Sequence, residues 1–264
     1  MLTLTTFSTS IPPILHLKHF KRLSIKLLPA LAIVFLSLSL SAQKISNIDL
    51  NIIREQASAS YINLINRYIK VDSSLTIEDY KVIYYGNAFQ KNYMSQSISK
   101  LQNELKTQYN QGNYKMAAGI GEKLITENPV NTVALFNLMV SFFKIGDTVK
   151  AKHYANMYYP LIQTIHRSGT GLTPEQAFVV IQIQDEFQAL EEWDYIMVGQ
   201  MLKNNIDQIE AIRKTRPNYG LPQAVEMHFN LSIPIAYIKD QQSVLQKILN
   251  NFTYYWLSYQ YAYM

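Results

Sequence analysis

The sequence predicts an α+β protein: an N-terminal α-helical repeat region followed by a small antiparallel β-sheet with one or two helices. Three observations carry this. Gly112 and Gly146 stand 34 residues apart, and so do Ala117 and Ala151, the period of the tetratricopeptide helix–turn–helix unit. Apolar residues recur at spacings of three and four before these glycines, as amphipathic helices require. Near the C-terminus, Val225, Met227, Phe229, Leu231 and Ile233 alternate with Glu226, His228, Asn230 and Ser232, the pattern of a strand with one wet face.

Residues 1–42 read as a secretory signal peptide. Lys18, Lys21, Arg22 and Lys26 precede a 14-residue apolar run, Leu27–Leu40, with small residues at Ser39, Ser41 and Ala42. A membrane-spanning helix needs about 20 apolar residues, so cleavage near Ala42 is expected, leaving a soluble periplasmic or extracellular chain. The alternative is an uncleaved anchor. The full chain has 24 basic and 19 acidic residues, a net +5. Four of the basic ones lie in residues 1–42, leaving 20 against 19 in residues 43–264. The basic character belongs to targeting, and no nucleic-acid partner follows from it. The chain has no cysteine, which excludes a disulfide framework, a thiol nucleophile and a zinc–thiolate site.

The helical region is expected to span residues 43–167. Asp49 to Ile69 reads as a first helix, with Ile52, Ile53, Tyr61, Leu64, Ile65 and Tyr68 as its apolar stripe. Asp72-Ser73-Ser74 breaks it. Thr76 is placed to cap a second helix that carries Tyr80, Ile83, Tyr84 and Phe89. Two repeats follow, at 98–131 and 132–165. Gly112 and Gly146 turn the chain, Ala117 and Ala151 let paired helices approach, and Pro129 ends the first repeat.

A small α+β unit is expected over 168–239, after Ser168-Gly169-Thr170-Gly171. Thr173-Pro174-Glu175-Gln176 has the form of a capping box opening a helix. Phe178–Ile183 is a short β-rich run, Asp185–Glu192 a short helix, Tyr195–Met201 and Ile206–Ile212 strands, and 216–220 a turn. Residues 240–264 are expected to form a C-terminal helix and a tail. Within that tail, residues 252–264 hold five tyrosines, one tryptophan and no charge.

The stretch Asp72-Ser-Ser-Leu-Thr-Ile-Glu-Asp-Tyr-Lys-Val-Ile-Tyr-Tyr-Gly-Asn-Ala-Phe-Gln90 resembles a segment of an uncharacterised family of exported Bacteroidota proteins. So do Ser168-Gly-Thr-Gly171, Pro174-Glu-Gln-Ala-Phe-Val-Val-Ile181, Asp185-Glu186-Phe187, Gly199-Gln200 and Phe229-Asn230. The resemblance covers most of residues 49–233. It implies a domain of unknown function, an exported location and this architecture, but no activity.

Helix A positions of such repeats normally line a concave groove. Here they are Gln102, Lys106 and Tyr109 in the first repeat and Phe136, Val140, Phe143 and Lys144 in the second. A groove half apolar and half basic suits an extended peptide, unless the N-terminal helices or the sheet fold into it. The expected function is therefore a non-enzymatic protein–protein interaction module or adaptor of the bacterial envelope. It needs no cofactor or metal, and no stable membrane insertion after signal cleavage.

Other constellations are weaker. Gly119-Ile-Gly121-Glu-Lys123 lacks the spacing of a phosphate loop and falls inside a repeat helix. Ser168–Gly171, beside His166 and Arg167, could offer backbone N–H groups to an anion, or simply turn the chain. His153, His166 and His228 have no metal-ligand spacing. Asp185, Glu186, Glu191 and Glu192 beside Trp193 are the ingredients of glycoside hydrolysis, or of helix-dipole chemistry. A glycan-directed hydrolase and a membrane-anchored structural protein are thus the alternatives.

Overall fold

The computed structural model describes residues 48–214 and 223–240, all within one compact unit. The signal segment, the turn expected at 216–220 and the aromatic tail lie outside the described residues. Six helices come first: α1 (Leu50–Ile69), α2 (Ile77–Gly86), α3 (Gln96–Asn110), α4 (Tyr114–Glu127), α5 (Thr132–Lys144) and α6 (Thr148–His166). After them come β1 (Phe178–Val179), α7 (Gln184–Glu192), β2 (Tyr195–Lys203), β3 (Ile206–Arg213), β4 (Val225–Asn230) and α8 (Ser232–Asp240).

The caps explain where the helices start. Asp49 accepts from the N–H groups of Asn51 and Ile52 at the head of α1. Thr76 and Asp79 form the full reciprocal box at α2, with Thr76 N–H donating to Asp79 Oδ2 at 2.8 Å. Asn131 caps α5 and Asp147 caps α6. On α1 the buried face is Ile53, Ala57, Tyr61, Leu64 and Tyr68. Ile52, expected in that stripe, is exposed.

Helices α3 and α4 form one hairpin, over 96–127, and α5 and α6 a second, over 132–166. Gly112 and Gly146 have φ of +74° and +87°, so each turns the chain in the left-handed region that other residues avoid. Ala117 and Ala151 are buried between helices, and Pro129 sits in the turn between α4 and α5. Gly121 lets α4 lie close on α5: a Cβ there would lie 2.8 Å from Leu138. A small core of Ile98, Leu105, Ala117, Ile120, Leu124 and Ala134 fills the first hairpin against α5. On the surface, Glu122 of α4 takes Lys150 Nζ at 2.8 Å and the Tyr154 hydroxyl at 3.1 Å, stitching α4 to α6.

The sheet has the order β1-β4-β3-β2 and is mixed. This corrects the expected antiparallel sheet. Strands β2, β3 and β4 are antiparallel, but β1 runs parallel to β4, with Phe178 opposite Phe229. The long path through α7 and the β2–β3 hairpin gives the chain room to return in the same direction. That hairpin turns at Asn204-Asn205, with φ of +53° and +64°.

Two boundaries differ from expectation. Thr173–Gln176 opens no α-helix: only Pro174–Gln176 forms a 3₁₀ turn without a side-chain cap. The chain goes extended at Ala177 because the next five residues, Phe178 to Gln182, are all buried. The last strand stops at Asn230 rather than Ile233. Asn230 Oδ1 accepts from Ser232 N–H, and Pro234 falls in the first turn of α8, where its missing N–H costs nothing. The wet face of β4 also ends early, since His228 and Asn230 are buried. His228 gives its backbone N–H to Gly171 O, and its Nδ1 lies 3.1 Å from the same oxygen. Its Nε2 lies 3.2 Å from Glu226.

Candidate functional site

The most unusual chemistry sits where the sheet meets the helices. Residues 180–183 cross from β1 to α7 through the apolar interior, and a loop there must satisfy its backbone polar groups locally. Tyrosine hydroxyls from the α2 region do this. The Tyr85 hydroxyl donates to Val179 O at 3.1 Å, the Tyr93 hydroxyl donates to Ile181 O, and Ile181 N–H donates to the Tyr84 hydroxyl. Gln182 accepts from Gln102 of α3 and Asn131, each at 3.4 Å.

Asp185 closes this knot. It is buried and accepts three hydrogen bonds: the Tyr84 hydroxyl at 2.5 Å, the Thr132 hydroxyl at 2.6 Å and Gln182 N–H at 3.0 Å. Burial pushes its carboxyl up to about 6, against the opposing pull of those bonds from Thr132, Tyr84 and Gln182. Burial, with Asp185 beside it, likewise lifts Tyr84 well above its ordinary value.

The next residue, Glu186, points from α7 to Asp207 of β3. Both are completely buried. Neither Glu186 oxygen nor Asp207 Oδ1 finds an N–H or ordinary O–H donor among the described residues. The remaining Asp207 oxygen takes the Gln200 amide of β2. Two carboxyls so placed bond each other only when one keeps its proton. Burial first, then the Asp207 charge, drives Glu186 far up, making it the donor. Asp207 is raised by burial and held down by the Glu186 and Gln200 bonds. Sequence reading missed Asp207, although strand alternation puts it on the face of Ile209 and Ala211.

The four acids of the hydrolase alternative are thus dispersed. Asp185 and Glu186 are sealed inside, Glu191 pairs with Lys214 at 2.5 Å, and Glu192 is exposed. Two concavities of the described surface lie away from them, one beside α1, around Arg54, Asn63 and Phe89, and a shallow one around Gln200, Gln208 and Glu226. Among the described residues no group of three or more His, Asp or Glu is placed to hold a metal ion. The anion candidate is also spent. Thr170 and Gly171 donate their N–H groups to Gln176 O, and Ser168, fully buried, bridges Ile165 O and Val179 N–H through its hydroxyl. His153 packs edge-on to Tyr154, and His166 stacks on Phe178.

The seven groove residues divide. Gln102 turns to Gln182, and Phe136 packs on Tyr158 of α6, ring centroids 5.7 Å apart. Lys106, Tyr109 and Val140 are half-buried, and burial lowers the Lys106 ammonium. Phe143 and Lys144 are exposed. The loop before α7 therefore occupies part of the face that the repeats would offer.

No curated protein and no solved structure matches the chain. Residues 46–239 match one family, described as Domain of unknown function (DUF4919), and the chain belongs to it.

Proposed function

We propose that the protein is an exported, non-enzymatic interaction module of the bacterial envelope. In this reading its two hairpins are tetratricopeptide-like repeats, and the family is one of exported Bacteroidota proteins. One observation carries it: four exposed large apolar side chains share one end of the α4–α6 array. Short turns reverse the chain between α4, α5 and α6, so the heads of α4 and α6 share an end with the foot of α5. That end bears Met116, Phe143, Ile145 and Val149, which are 58, 65, 45 and 80 % exposed. Side chains that large and open gain most from burial against a partner.

The surrounding charge describes the partner. Lys115, Lys144 and Lys152 are exposed around this end. The nearby acids are engaged, Glu122 by Lys150 and Asp147 by the head of α6. An acidic, apolar protein segment fits such a surface. The burial of Asp185 and Glu186 supports the non-enzymatic reading over the hydrolase alternative.

The test is affinity capture from envelope extract with the exported chain and with Phe143→Asp/Val149→Asp. The wild type is expected to retain an acidic partner that the double variant loses by tenfold or more. Retention of the same proteins by both, or of none by the wild type, refutes this surface. N-terminal sequencing of exported material checks the location, with Gln43 expected first.

A further inference from the structure

Glu186 and Asp207 face each other across the seam between α7 and the inner side of the sheet. Both are fully buried, and neither is in an ion pair among the described residues. The polar groups around them are few. Asp185 on α7 adds a third carboxyl, held by Tyr84 and Thr132 from α2 and α5. From β2 comes the Gln200 amide alone. The Tyr158 hydroxyl of α6 is directed to Gln188 O. His228 of β4 is engaged by Gly171 and Glu226. Glu191, Glu192 and Lys214 lie at the far end of α7. Among the described residues no cation compensates a second negative charge here, so the pair is stable with one proton and unstable with none.

We propose that Glu186 and Asp207 form a single-proton latch that fastens α7 to the sheet. With one proton shared, the side chains bond and the seam closes. When that proton leaves, two buried carboxylates oppose each other and the β2–β3 hairpin lifts from α7. Gln200, half-buried and bordering the shallow concavity, links the pair to solvent.

The direction follows from linkage. The closed seam holds its proton to a higher pH than an open one, whose glutamate titrates near its ordinary value. Between those limits the opening equilibrium rises with pH, by up to tenfold per unit. Acid tightens the latch and alkali loosens it. Asp185 titrates near 6 and contributes little to the slope above neutrality.

Amide hydrogen exchange between pH 7 and 9, corrected for intrinsic rates, reads the opening. Residues 184–213 are expected to open at least tenfold more at pH 9 than at pH 7, while α3–α6 do not change. In Glu186→Gln, whose amide donates to Asp207 at every pH, the slope should vanish. Asp207→Asn removes the opposing charge but leaves Glu186 buried, so the slope should persist and level off at a lower pH than in the wild type. The infrared band of a buried protonated carboxyl, present at neutral pH, should disappear in Glu186→Gln. A flat wild-type profile overturns the proposal whatever the variants do. So does an unchanged slope in a folded Glu186→Gln, or a wild type without that band.

Discussion

Asp185→Ala is expected to cost about 4 kcal/mol or more of folding stability, enough to consume much of a typical domain's margin. The substitution removes the acceptor for three buried donors: the Tyr84 and Thr132 hydroxyls and Gln182 N–H. Each stranded donor costs roughly 1–3 kcal/mol. The loss would fall on the seam, because Tyr84 belongs to α2, Thr132 to α5 and Gln182 to the loop before α7. Asp185→Asn separates shape from charge. Its oxygen can keep Tyr84 and Gln182, and its NH₂ can donate to a Thr132 hydroxyl that turns around. About 1 kcal/mol is expected to be lost.

The pH profile distinguishes these variants further. Asp185 is raised from 3.8 to about 6 in the folded protein. The folded state therefore holds a proton that the unfolded chain has released across this window. Its contribution is complete below the lower value and is lost as pH rises to the upper one, roughly 3 kcal/mol in all. Urea unfolding of the wild type should thus weaken from pH 4 to 6. Asp185→Asn should show a shallower fall, with the remainder due to Glu186. Equal slopes in the two proteins would remove Asp185 from the account. A drop under 1 kcal/mol in Asp185→Ala would mean the three donors find other partners.

The helical half was legible because its determinants are local. The Thr76 cap and the turn glycines each act within a few residues, and the helices start and stop at them. The seam was not legible because its determinants are distant. Tyr84 meets Asp185 across 101 residues and Thr132 does so across 53. Nothing near Asp185-Glu186 announces burial, and two acids in a first helical turn read more simply as dipole chemistry. The parallel edge was hidden for another reason. Strand β1 is two residues long, and its direction is set by Phe178 having to lie beside Phe229. The abundance of tyrosine was the available signal, since a buried ring must find a partner for its hydroxyl. Tyr84, Tyr85 and Tyr93 all do so on one loop.

Gly171→Ala should destabilise the fold by about 3 kcal/mol, whereas Gly112→Ala and Gly146→Ala should each cost only about 1 kcal/mol. All three glycines have positive φ, at +69°, +74° and +87°, so the conformational penalty is common to them. The surroundings differ. A Cβ on Gly112 or Gly146 meets nothing within 4 Å, but on Gly171 it would lie 2.2 Å from the Phe178 ring. That ring cannot easily retreat. It is packed on Trp193, with centroids 4.7 Å apart, and on Phe229 at 5.4 Å. Nor can the backbone shift, since Gly171 gives its N–H to Gln176 O and takes the His228 N–H on its own oxygen. The strain must therefore enter the aromatic layer, where Trp193 emission in a Trp256→Phe background reports it. Emission should shift in Gly171→Ala and stay unchanged in the two turn variants. If Gly171→Ala unfolds at the same urea concentration as Gly112→Ala, the sheet is not clamped to the helices through this glycine. The two turn glycines would then matter as much as the one buried against Phe178, an outcome the packing argues against.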